Sequence, residues 1–226
     1  MTEEEKIQAL YIAYLERPAD PGGLAYWVER LNRCGRDFRA IGSEFFNSEE
    51  FKSLHGSASV TEIVKSVYEH VLAREPDKEG LAFWIGMVEK GILPLEMVPA
   101  AMVEEKTVKG KDTLTLLNKV QSAMSFTKAI DPELDGKDVL ATYSGEDDLS
   151  FARQFLMKVD SDLKTVKDVS EAELFISSHI ADDGDPLLEI MRKKADLLLD
   201  LAKEKSSKEN SFSDLPDSSL DEVKAL

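Results

Sequence analysis

The chain has little sulfur or imidazole to work with: one cysteine, Cys34, and three histidines, His55, His70 and His179, in 226 residues. A single thiol excludes an intrachain disulfide. Cys34 falls near the end of an amphipathic pattern, where a small, partly buried thiol is the default reading. The histidines lie in three separate segments, with no paired ligand spacing among them or to the cysteine, so no Cys/His metal constellation is legible. Long apolar runs are absent as well, and nothing approaches the roughly 18 residues of a membrane span. The N-terminus, Met-Thr-Glu-Glu-Glu-Lys, has the opposite charge from a secretory leader and no apolar run behind it. The expectation is therefore no Sec-type signal and no membrane insertion, with a cytoplasmic location or export by a non-Sec route.

Positive charge is scarce. Lys and Arg number 28 against 44 Asp and Glu, a formal net charge of −16. Residues 131–226 hold 24 acids and 12 bases, whereas 1–130 hold 20 and 16. Such an acidic C-terminal part disfavours nucleic acid and anionic membranes, whose binding relies on Lys and Arg contacts to phosphates. No glycine loop for phosphate is present, because Gly22-Gly23 sits in a Pro-Gly-Gly turn rather than between a strand and a helix. Short alternating runs bounded by turns, the mark of strands, are missing too. The expected fold is all-α.

What the chain does have is a repeat. Tyr11, Leu15, Arg17, Asp20, Gly23, Leu24, Ala25 and Trp27 recur 57 positions later as Tyr68, Leu72, Arg74, Asp77, Gly80, Leu81, Ala82 and Trp84. Around these landmarks two copies take shape, about 5–54 and 61–106, within a repeat domain over 1–130. Thr2 and Glu5 spell a capping box for a first helix with Ile7, Leu10, Tyr11, Tyr14 and Leu15 on one stripe. Arg17-Pro18 ends it, since the residue before proline is driven out of helical geometry. Asp20 caps a second helix with Pro21 at its first position and Leu24, Trp27, Val28 and Leu31 inward. A third helix points Phe38, Ile41, Phe45 and Phe46 inward, and Ser48 caps a short turn through Phe51. The second copy, starting at Thr61, repeats the pattern, with Pro99 in the first turn of its third helix, where proline costs little.

Beyond the repeats, Asp112 caps a long helix with Leu114, Leu117, Val120, Ala123, Met124 and Ile130 inward. Residues 131–203 read as an acidic helical region, with short helices near 139–143 and 146–159. A capping box from Ser170 to Glu173 opens a further helix, and an amphipathic stretch follows from Leu187 to Leu201. Residues 204–226, rich in Ser, Lys, Glu and Asp, read as a disordered tail.

Two readings of the repeated motif compete. As a binding surface it exposes Arg17/Arg74 and Asp20/Asp77, with Trp27/Trp84 as partner anchors. As a folding corner, the Asp caps the second helix, the glycine allows close backbone approach, Leu and Trp fill the core, and the Arg bridges to the Asp or to the preceding carbonyls. The spacing favours the corner. A separate candidate is the loop Asp131-Pro-Glu133-Leu-Asp135-Gly136, whose acids at positions 1, 3 and 5 and glycine at 6 resemble an EF-hand calcium loop. Position 12 is Thr142, so the bidentate carboxylate is missing. Asp131, Glu133 and Asp135 are the metal candidates, with calcium as the ion; the Asp182-Asp183-Gly184-Asp185 loop is a weaker one. No catalytic residue and no other cofactor is nominated.

The pattern Leu-x-Arg-x-x-Asp-x-x-Gly-Leu-x-x-Trp, followed by Phe45-Phe46-Asn-Ser-Glu-Glu-Phe51, is similar to the bacterial domain-of-unknown-function family 4214. The resemblance covers about residues 5–130; the second copy lacks the aromatic ending. It implies a small helical module of the kind found in exported or cell-surface proteins, and attached to some glycosyltransferases. It brings no catalytic residues. The resulting expectation is a non-catalytic interaction module of the bacterial surface or envelope that binds a protein or glycan. The alternatives are an enzyme or accessory subunit in carbohydrate modification, and a calcium-dependent binding module.

Overall fold

A computed structural model describes residues 1–35, 37–104, 108–134 and 146–179. Every regular element among them is helical. The first copy comprises α1 (Glu3–Leu15), α2 (Pro21–Arg33), α3 (Phe38–Phe46) and α4 (Glu49–His55). The second comprises α5 (Val60–Leu72), α6 (Lys78–Glu89), a 3-10 turn Leu95–Met97 leading into α7 (Val98–Val103), and α8 (Lys111–Ile130). After these come α9 (Glu146–Leu156), a 3-10 turn Leu163–Thr165 and α10 (Val169–His179). One compact unit, Met1–Ala172, holds the repeats and α9; a second is Glu173–Leu226, of which the end of α10 is described.

The core is built around α1. It packs against α2, α3, α4, α5, α7 and α8, and every residue from Ile7 to Leu15 is buried. A helix surrounded in this way shows no single apolar stripe, so the expected five-residue stripe was too narrow: Gln8, Ala9, Ile12 and Ala13 are inside as well. The buried amide of Gln8 is satisfied. Its Nε2 donates to Thr127 Oγ1 at 2.7 Å and its Oε1 accepts from the Ala19 amide at 2.9 Å, while Thr127 Oγ1 donates to the Ala19 carbonyl at 2.8 Å. This small network ties α1, the α1–α2 turn and α8 together in a place where an unpartnered polar group would cost about 1–3 kcal/mol.

The expected caps at Thr2, Asp20, Ser48 and Asp77 form, as does the proline in the first turn of α7. Three differ. The second copy opens at Ser59, not Thr61, and Ser59 forms a capping box with Glu62. These two residues are the counterparts of Thr2 and Glu5 at the same 57-residue offset, so the repeat reaches nine residues further back than its first landmark pair, Tyr11 and Tyr68. Helix α8 has Gly110, φ 61, at its N-cap, and Asp112 lies inside the first turn. The box opening α10 is Asp168 with Glu171, each backbone N–H donating to the other's carboxylate at 2.9 Å, instead of Ser170 with Glu173.

Leu114 and Leu117 were expected inside and are exposed. Helix α8 turns Thr115, Leu116, Asn118 and Lys119 inward at this level, because Asn118 Nδ2 holds the Asp160 carbonyl at 2.8 Å. Further on, Val120, Ala123, Met124 and Ile130 are buried as expected. The helix near 139–143, the amphipathic stretch from Leu187 to Leu201, the Asp182–Asp185 loop and the tail 204–226 lie outside the described residues. No helix among the described residues is long and apolar enough to cross a membrane.

Candidate functional site

In each copy the repeated residues close a single corner. The first helix ends at a residue in the left-handed region, Glu16 with φ 63 and Ala73 with φ 53. The chain then reverses into an aspartate that caps the second helix: Asp20 Oδ1 accepts from the Gly23 amide and Asp77 Oδ1 from the Gly80 amide, both at 2.6 Å. The arginine between them lies over the tyrosine ring, 5.0 Å from the centroid for Arg17 on Tyr11 and 4.8 Å for Arg74 on Tyr68. Its Nη1 donates to the carbonyl of the next residue, Pro18 or Glu75, at 3.0 and 3.1 Å. The same nitrogen is 3.5 Å from Asp20 and 3.7 Å from Asp77. A Cβ placed on Gly23 or Gly80 would collide with the hydroxyl of Tyr11 or Tyr68, which is why the motif pairs that tyrosine with a glycine. Trp84 is buried and Trp27 half-buried against Phe45, ring centroids 4.7 Å apart. The geometry is that of the folding corner.

Each arginine also grips a fourth helix. Arg17 makes a two-pronged pair with Glu50, Nε to Oε1 at 2.7 Å and Nη2 to Oε2 at 2.8 Å. Arg74 makes the same pair with Asp112, both bonds at 2.8 Å. Glu50 and Asp112 each occupy the second position of their helix, α4 and α8. The repeat is thus four helices, with the fourth cut short in the first copy and extended in the second. The sequence offset hides this, because the link before α8 is longer than the link before α4.

Two further groupings were not legible in the sequence. Tyr26 and Phe83, at equivalent positions, are 57 % and 56 % exposed and meet the neighbouring Trp27 and Trp84 edge-on at 5.1 and 5.2 Å. Next to the corner of the first copy, Glu16 Oε1 lies 3.6 Å from His55 Nε2 and 3.3 Å from His70 Nδ1, and accepts a hydrogen bond from Ser66 Oγ at 2.8 Å. Two of the three histidines therefore converge on a carboxylate through the fold alone. Away from them, an open groove of about 430 Å³ is lined by Glu5, by Leu117, Asn118 and Gln121 of α8, and by Leu163 and Val166. Of the calcium candidates, Asp131 is fully buried at the end of α8 and Glu133 is exposed; Asp135 lies outside the described residues.

Residues 42–109 match the family described as a domain of unknown function (DUF4214). The match starts within α3 of the first copy and ends just before α8, so the DUF4214 segment contains the whole α5–α6 corner with Arg74, Asp77, Gly80 and Trp84. The similarity read from the motif reached wider, over about 5–130. No curated protein and no solved structure matches the chain.

Proposed function

We propose that this chain is a non-catalytic helical interaction module that binds a protein or glycan partner through aromatic side chains presented by its repeats. The observation that carries the reading is the exposure of Tyr26 and Phe83. The repeat retains an aromatic residue where the core does not need one, and each is braced edge-on against the tryptophan that the core does need. Rigid aromatics held in one orientation bind at low entropic cost and dominate interface energies. The motif's resemblance to modules of exported and surface proteins supports a place at the bacterial surface or envelope.

Pull-down from envelope extracts and a glycan array, each with wild type and the Tyr26→Ala/Phe83→Ala double variant, test the reading. The expected result is a partner retained by the wild type and bound at least tenfold more weakly by the double variant. Full retention by the double variant moves the interface elsewhere, and no ligand by either route removes the reading.

A further inference from the structure

Glu16 stands where the two copies meet, and its carboxylate is reached from both. From α5 of the second copy come Ser66 and His70; from the last turn of α4 of the first comes His55. His55 is the unusual member. Its side chain is only 10 % exposed, its ring stacks on Phe51 at 4.5 Å, and its Nε2 is sealed from solvent with no hydrogen-bond partner. At 3.6 Å, Glu16 Oε1 faces that nitrogen from just beyond hydrogen-bonding distance. The Tyr14 carbonyl of α1 also engages the ring.

The other charges facing His55 come from α5 and α9. His70 is one, and Arg153 is the other. The Arg153 guanidinium donates to the Leu15 carbonyl at 3.3 Å and to Glu50 at 3.2 Å. Glu50, on the same helix as His55, is held between Arg153 and Arg17. A metal ion does not suit this cluster. His70 Nδ1 lies 3.0 Å from the Ser66 carbonyl, which accepts its hydrogen bond, and among the described residues no three His, Cys, Asp or Glu side chains are placed to hold a metal. What can arrive at His55 is a proton.

We propose that Glu16, His55 and His70 form an acid-operated latch at the seam between the copies. With His55 neutral, α4 is seated against α1; a proton on His55 unseats α4 and with it the ion pairs of Glu50 to Arg17 and Arg153. Burial opposes the imidazolium more than Glu16 favours it, and His70 and Arg153 add repulsion, so seated His55 is held below the ordinary imidazole range. The opened segment takes up the proton near the ordinary value of about 6.5, and the seated one at lower pH. Seating is therefore at full strength at neutral and alkaline pH and weakens as the pH falls below about 6.5 toward the seated-state value. Within that window the open population of α4 rises by up to about tenfold per pH unit.

The test is amide hydrogen exchange of the full chain between pH 7.5 and 5.0, corrected for intrinsic exchange. Protection of Lys52 to His55 is expected to fall at least tenfold relative to α1 and α8 in the wild type, and to stay level in His55→Asn. A histidine NMR titration of the wild type, which needs no variant, is expected to place His55 below the ordinary midpoint. A His55 midpoint at or above that value, or equal loss of protection in His55→Asn, overturns the latch. So does protection of α4 by zinc chloride at neutral pH, which would show that a cation rather than a proton fills the gap.

Discussion

Arg17 and Glu50 are locked in a two-pronged ion pair, with both side chains largely withdrawn from water, 6 % and 19 % exposed. Arg74 and Asp112 repeat the pair closer to solvent, at 38 % and 24 %. Equivalent geometry in unequal surroundings predicts unequal energetics. Removing one member of a buried pair costs about 3–5 kcal/mol where the other charge is stranded, and Arg153, 3.2 Å from Glu50, keeps the loss at Arg17 to the low end of that range; solvent-screened pairs are worth about 1 kcal/mol or less. Arg17→Ala is expected to lower stability by about 3 kcal/mol and Arg74→Ala by about 1, read from urea midpoints at constant m. Equal losses would mean that the corner's energy lies in the arginine–tyrosine stack the two copies share, and not in the acid each arginine grips.

Gly23 and Gly80 make a second test of the corner. Glycine inside a helix is normally improved by alanine, by up to about 1 kcal/mol. Here the added methyl group runs into the buried hydroxyl of Tyr11 or Tyr68, and overpacking of that kind costs about 1–3 kcal/mol. Gly23→Ala and Gly80→Ala are expected to destabilise. The tyrosine oxygen is the nearest atom in both copies, and the capping carboxylate comes next, 2.8 Å away for Asp20 and 3.0 Å for Asp77, so Tyr11→Phe and Tyr68→Phe should recover part of the loss in the double variants, more at Gly80 than at Gly23. A double-mutant cycle with no coupling would remove the hydroxyl as the reason for the glycine.

These residues also show which parts of the molecule could be read from its sequence. Caps, corners and proline positions are local, and Thr2, Asp20, Ser48, Asp77 and Pro99 act within a few residues of themselves, so their roles were legible. Burial on α1 and α8 was not. A central helix has no polar face to mark its orientation, and on α8 the distant Asp160 carbonyl draws Asn118 inward and leaves Leu114 and Leu117 outside. The site-like groupings were hidden for a similar reason. His55, His70 and Glu16 are brought together only when α4 and α5 close on the end of α1, and no spacing rule encodes that. Tyr26 and Phe83 differ in residue type, so the repeat of identities passed over a position whose exposure and ring geometry are the same in both copies.

Lys119 offers a pH-dependent test of how α8 is seated. It is 2 % exposed, and burial pushes its ammonium down to about 8, against the partial support of Glu69 and Asp160. Below about pH 8 the lysine is charged in both the folded and unfolded chain, so the folded state bears the full desolvation penalty. Between about pH 8 and the unfolded value near 10.4, the folded state loses its proton first and stability rises with pH; above that range the penalty is gone. The shift corresponds to roughly 3 kcal/mol at neutral pH. Lys119→Met, which keeps the length of the side chain and removes the charge, is expected to stabilise the protein by a few kcal/mol at pH 7 and to lose most of that advantage at pH 10. Urea unfolding of both proteins at the two pH values measures it. A gain that does not shrink at pH 10 would mean that methionine simply packs better, and a loss at pH 7 would mean that the ammonium's attraction to Glu69 and Asp160 outweighs its burial.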